Sequence, residues 1–444
     1  MYKKLVLLTL FHLGLTTLVI GQSQNLASTR FRSYTIADIP TEAREVFLAV
    51  DKDLAEERTS LLSDNVADLL FTTEAKRRGI TVDQLKTLEI RSRVSDPAEM
   101  TAKAYYEAHR NDKSKPFNEE KAQIAKFLRR QIEEDRARAF LAELEKKFGL
   151  VKPHDVNAVD LKPDDVLVSF ADQTITARQF AARNAASLWA IRADATEEAI
   201  NALENAMFAD LLLIEAKELS LKSGDDVISK LTDGSQRAKD DLEDKLFAKY
   251  DAKIILTRPE LQNDFSIDGA PFRGDPNAPV TIVMFSDLQC PHCAAQEPIL
   301  EDVAAEFGKS VKLVVKNFPL TAVHDKAFRA AEAAMAADEQ GKYWEYTKVI
   351  FKNQDTLDDE RLVKFAGDLG LDTRLFSEAL TRSKFAWKVN KDLEEGNRIQ
   401  ILWTPTVFVN GYRISSPTRR VLREVIRQIL NGKSQNFVAG QINS

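Results

Sequence analysis

Two hydrophobic patterns follow one another along this chain. From about Ile39 to Asp251, apolar residues recur every three or four positions among many charges, the spacing of amphipathic helices. Thr81 with Gln84, and Thr176 with Gln179, form capping boxes, in which hydroxyl and carboxamide each satisfy a free backbone donor at a helix start. Asp96-Pro97 and Asn118 are further start signals. The pattern predicts helices of modest length joined by short turns, with one short strand at Val166 to Phe170. The stretch Ala67 to Lys76 resembles Ala209 to Lys217, which is one residue shorter, across a joint marked by Lys152-Pro153 and Lys162-Pro163. Two readings account for that match: a repeated helical unit, over 38–150 and 163–253, or generic amphipathic helices of similar composition.

Near Ile254 the pattern changes. Pro259, Gly269, Pro271, Gly274, Pro276 and Pro279 mark an irregular lead-in or linker over 254–279. Short apolar runs then predict strands at Val280 to Ser286, Val311 to Asn317 and Thr406 to Val409. Helices are expected at Pro291 to Phe307, through an insertion from about Asp325 to Arg382, and at about Phe385 to Gly396. Asn410-Gly411 is a hairpin turn leading into Tyr412-Arg413-Ile414. A last helix is expected with Ser416 as cap and Pro417 as its start, ending at Asn431-Gly432.

Composition is that of a globular protein, 44% hydrophobic and 29% charged over 444 residues, enough for about three modules. A net charge of -6 is weak for this length and argues against nucleic acid as a partner. Residues 1–21 combine Lys3-Lys4 with an apolar run from Leu5 to Ile20, the pattern of a secretory signal peptide cleaved near Gly21; an uncleaved anchor is the alternative. A periplasmic or otherwise extracytoplasmic location follows from that pattern.

The chemistry concentrates at Cys290-Pro291-His292-Cys293, which holds both cysteines of the chain. A bridge between thiols so close in sequence constrains almost nothing, so its value is chemical. Pro291 suits the first turn of a helix, which places Cys290 at the cap. Free N–H groups and the positive end of the helix dipole there favour an anion, here a thiolate. Cys290 is therefore expected to be the exposed nucleophile and Cys293, more enclosed, the resolving thiol. His292, between them, is placed to donate to the thiolate or to favour it electrostatically. Structural zinc, the rival use of such a pair, normally takes four ligands; one pair and five scattered histidines do not supply them, and no metal is expected.

Phe285 to Cys293, the lead-in Gly274 to Val280, and Thr404-Pro405-Thr406-Val407-Phe408-Val409-Asn410-Gly411 together resemble the DsbA-like branch of the thioredoxin superfamily, over about 272–432. The resemblance implies an α/β thioredoxin fold with a helical insertion, preceded here by a mainly α-helical region. It also implies a cis proline facing the dithiol, matching Pro405, with Thr404 pairing an extended substrate segment. Glu297 matches an acidic position of the family helix that helps move the proton of the resolving thiol; a surface ion pair is the alternative role. Family members commonly have glycine where this chain has Trp403, so the indole is expected to reshape the substrate groove.

These readings converge on an exported thiol-disulfide oxidoreductase, oxidase or isomerase, acting on cysteine-containing client proteins. It needs no bound cofactor, and a membrane or soluble redox partner resets the dithiol. A holdase or assembly chaperone with a peptide-binding thioredoxin-like domain is the alternative. Leu61 to Gly79, with Ile80-Thr81-Val82-Asp83 and Ala104-Tyr105-Tyr106-Glu107, loosely resembles the chaperone region of parvulin-type foldases. Such helices suit a client cradle or a homodimer in which two dithiols face one cleft; a solvated spacer is the plainer alternative.

Overall fold

The computed structural model describes residues 24–111 and 115–432. The signal-peptide segment 1–21 lies outside the described residues. In chain order the first half contains β1 (Ala27–Ser28), β2 (Ser33–Tyr34), α1 (Thr41–Arg78), α2 (Val82–Glu89), α3 (Glu99–His109), α4 (Phe117–Phe148), β3 (Val166–Phe170) and β4 (Gln173–Thr176). It continues with α5 (Ala177–Arg183), α6 (Ala185–Glu218), α7 (Gly224–Leu231), α8 (Gln236–Lys249) and β5 (Lys253–Ile254). Three of these helices are far longer than the modest lengths expected: α1 has 38 residues, α4 32 and α6 34. No glycine or proline interrupts any of them, and Pro116 and Gly149 bracket α4. Both capping boxes form, at Thr81 and Thr176. Asn118 falls inside the first turn of α4, whose cap is Pro116.

The chain divides into two compact units, one of them Lys52–Asn184 and the other built from two segments, whose described parts are 24–51 and 185–432. The division falls after residue 184 rather than at the 254–279 lead-in. In the first unit the β3–β4 hairpin pairs with the strand-like Val151 through Ser169. There Glu74, fully buried on the last turns of α1, accepts from Arg77, Arg78 and Lys147. In the second unit β1 pairs with both β2 and β5, and Leu26, Tyr34 and Ile36 pack on Ala199, Leu203 and Met207 of α6. Glu215, on the last turns of α6, accepts from Lys249 at 2.6 Å and from the Tyr250 hydroxyl at 2.6 Å. Thus the two similar segments each end a long helix on a buried glutamate held by a lysine from a later helix.

The rest of the second unit contains β6 (Phe272–Arg273), β7 (Val280–Ser286), α9 (Pro291–Phe307), β8 (Val311–Asn317), α10 (Ala327–Glu339), α11 (Tyr343–Phe351), α12 (Asp359–Asp368) and α13 (Thr373–Thr381). It closes with α14 (Ala386–Arg398), β9 (Thr406–Val409), β10 (Tyr412–Ile414) and α15 (Arg419–Leu430). The five-stranded sheet runs β10-β9-β7-β8-β6, with β7 and β8 parallel and the other neighbours antiparallel. A parallel pair needs a crossover, and α9 supplies it. Alternation along β7 sends Val280, Ile282 and Met284 into one core, with α9, α10 and α15, while Val283 and Phe285 enter another with Val314, Phe318 and Phe408. Asn410 and Gly411, both at positive φ, close the β9–β10 hairpin; a Cβ on Gly411 would lie 2.8 Å from the Asn263 carbonyl oxygen.

The 254–279 lead-in is tied to the sheet edge: Arg413 N–H donates to Leu261 O, and Asn263 N–H to Gly411 O. The last helix starts two residues later than expected. Thr418 caps it by accepting from Val421 N–H, while the Pro417 carbonyl accepts from Gln296. Its polar face meets the helices that precede the lead-in, with Arg423 held by Asp241, Asp244 and Glu306.

Candidate functional site

The strand-to-helix connection from β7 to α9 presents the dithiol. Cys290 is the N-cap of α9 and Pro291 fills its first position, so the cap geometry follows directly from the sequence. Both thiols are free. Cys290 is not the exposed group expected: it is only 4% exposed, because its Sγ turns inward and lies 3.4 Å from the Thr404 carbonyl oxygen. Cys293 is fully buried, and its Sγ accepts from the Asp287 N–H at 3.4 Å.

The two sulfurs differ sharply in acidity. Donation from the Cys293 thiol, helped by the backbone N–H groups of Cys293 and His292 and opposed by burial, pulls Cys290 down to about 5. Burial first, and then its bond to Cys290, pushes Cys293 well above the ordinary thiol range. One sulfur is thus held as a thiolate and the other as a thiol that donates to it.

His292 is exposed, and it reaches Cys290 through its backbone N–H. Glu297 is buried at 4% exposure with no ion pair of its own among the described residues, so the surface-pair alternative does not hold. It accepts from Thr347 Oγ1 at 3.4 Å, and burial, followed by the nearby Glu301 carboxylate, pushes it up to about 7. Thr404–Pro405 is a cis peptide bond. Trp403 and Leu402, just before it, remain 41% and 46% exposed.

Three further residues frame the dithiol and were not singled out from sequence. Gln354 donates to the carbonyls of Leu288 and Cys290, both at 3.0 Å, which fixes the turn from the insertion side. Asp287 and Gln289 hold the loop after β8 through Leu320, His324 and Lys326. Asp287 and Gln289 carried a signal, as part of the run before the first cysteine; Gln354 and His324 meet the site across 64 and 37 positions of sequence.

Comparison with known proteins bears on this part of the chain. Residues 267–428 match the family model described as Thioredoxin. This part of the chain is a thioredoxin-superfamily domain. Similar solved structures include oxidised BdbD from Bacillus subtilis, at 26% identity and a TM-score of 0.36, covering 39% of this chain and all (100%) of that one. Another is the thiol-disulfide exchange protein alpha-DsbA2 from Wolbachia pipientis, at 19% identity and a TM-score of 0.34, covering 44% of this chain and 100% of that one.

Among curated relatives, Na(+)/H(+) antiporter NhaA 1 of Mycolicibacterium gilvum is 37% identical over 147 residues, and NhaA 3 of Salinispora tropica 39% over 145. Each match covers 33% of this chain, but only 24% and 22% of those proteins. The chain therefore spans under a quarter of their length. No helix among the described residues is long and apolar enough to cross a membrane.

Proposed function

We propose that the protein is an exported thiol-disulfide oxidoreductase that exchanges disulfides with cysteine-containing clients through Cys290 and Cys293. In the oxidising direction a client thiolate attacks Cys290 Sγ of the disulfide, and the Cys293 thiolate leaves. A second client thiolate then attacks its own sulfur in the mixed disulfide, releasing the client disulfide and the reduced dithiol. Two electrons pass from client to protein, and a separate redox partner removes them. The observation that carries this reading is the asymmetric pair, a Cys290 pulled down to about 5 beside a buried thiol donor. A stabilised thiolate stabilises the reduced form, which makes the disulfide more oxidising.

An incoming extended chain meets the Thr404 backbone, whose buried hydroxyl has no partner among the described residues, and the exposed Leu402 and Trp403 beside it. The helical first half serves, on this proposal, to hold clients near the dithiol, in an extracytoplasmic compartment. Oxidation of a reduced client protein and reduction of insulin test the reading. Cys290→Ser abolishes both while leaving suppression of client aggregation intact. Turnover that survives the substitution rejects Cys290 as nucleophile. Suppression of client aggregation by a wild-type protein that neither oxidises clients nor reduces insulin would favour the holdase alternative.

A further inference from the structure

Asp287 is joined to both cysteines through its backbone and to a distant loop through its side chain. Its N–H donates to Cys293 Sγ at 3.4 Å, and its carbonyl accepts from the Cys290 N–H at 3.1 Å. The side chain is fully buried. Oδ1 accepts from Gln289 N–H at 2.7 Å; Oδ2 accepts from Leu320 N–H at 2.8 Å and faces His324 Nδ1 at 2.9 Å. Gln289 repeats the connection, its Oε1 accepting from Lys326 N–H at 2.9 Å. The remaining charges on this loop, Asp325 and Lys326, pair with each other at 3.5 Å.

A buried carboxylate in the same turn as the dithiol is a problem for the chemistry. Its charge opposes a thiolate nearby, and burying it without a countercharge costs several kcal/mol. Backbone donors from Gln289 and Leu320 solvate it in part. His324 is its one ion-pair partner among the described residues, and an imidazole there draws charge away from the sulfurs as a donor and, when protonated, cancels it.

We propose that Asp287 and His324 form a positioning pair: the Asp287 carboxylate fixes the turn that aims its own N–H at Cys293, and His324 counters that carboxylate so that a Cys290 thiolate is favoured. The inference deepens the oxidoreductase reading and rests on it. Neither side chain touches the reacting sulfurs, so the pair acts on acidity and redox balance and not on bond exchange itself.

The test compares wild type, His324→Ala, Asp287→Asn and the double variant in the full chain. The readouts are thiolate absorbance against pH and the redox equilibrium with glutathione. His324 is 22% exposed, and without it the Asp287 carboxylate keeps the Gln289 and Leu320 N–H donors, so urea unfolding of His324→Ala is read alongside to show that the variant is folded. His324→Ala raises the apparent pKa of Cys290 by about one unit and shifts the glutathione equilibrium about tenfold toward the disulfide, about 30 mV. In the Asp287→Asn background the same change has little effect, because the charge it countered is gone. Wild-type titration and equilibrium in His324→Ala, or two effects that simply add, overturn the pair. Should Asp287→Asn fail to fold, His324→Ala alone decides. A wild type that never exchanges with glutathione would sink the functional reading instead, while alkylation rates still judge the pair.

Discussion

The Thr404 carbonyl oxygen lies 3.4 Å from Cys290 Sγ, so the backbone that precedes Pro405 covers the nucleophile in the reduced protein. A client must therefore meet this segment before it meets the sulfur. The exposed indole of Trp403 is the largest side chain on that approach.

Trp403→Ala is expected to slow exchange with protein clients by roughly tenfold, the equivalent of one aromatic contact of about 1.4 kcal/mol. Exchange with glutathione, too small to use the groove, stays near wild type. Stopped-flow rates with both partners check this. Equal losses with the two would place Trp403 in the dithiol's own support.

Glu297 gives the stability a specific pH dependence. Its folded carboxyl is pushed up to about 7 by burial, whereas an unfolded glutamate titrates near about 4.3. Below the lower value both states are protonated and no penalty exists. As pH rises the unfolded chain ionises first, so stability falls until pH passes the folded value, by about 4 kcal/mol in all. Glu297→Gln removes this slope, so the variant is more stable than wild type above neutrality. Urea unfolding at several pH values measures it, and parallel profiles for the two proteins would contradict the assignment.

Arg423, 7% exposed on α15, gathers Asp241 at 2.5 Å and Glu306 at 2.8 Å, with Asp244 at 3.4 Å. Arg423→Met removes the cation that joins the three carboxylates and leaves Arg427 to pair with Asp244 at 2.9 Å and Glu306 at 3.9 Å. The cost is expected to be about 3 kcal/mol, read as a lower urea midpoint with unchanged slope. The redox equilibrium should not move, since the residue is remote from the sulfurs in chemistry.

Much of the second half is legible in the sequence because its signals are local. The β7, α9, β8 and β9 boundaries fall where apolar runs, the proline after Cys290 and the Asn410-Gly411 turn put them. Helix lengths in the first half were not legible, because capping boxes mark starts and say nothing about how far an uninterrupted helix runs. Nor were the pairings of β1 with β5 or of β6 with β8, two-residue strands whose register depends on partners far along the chain. At the site, the contrast between the two sulfurs could be read from one motif. The burial of Cys290 could not, since Thr404 covers it from 114 positions away. His324 shows the same limit: a lone histidine in a loop carries no signal until Asp287 is seen beside it.

Disulfide exchange by this protein depends most on the acidity of one sulfur. Rates of iodoacetamide alkylation at Cys290, followed against pH, should give an apparent pKa of about 5 and fast reaction well below neutrality. A titration near about 8.5, the value of an unassisted cysteine, would contradict the claim that the start of α9 and the Cys293 thiol hold this residue as a thiolate.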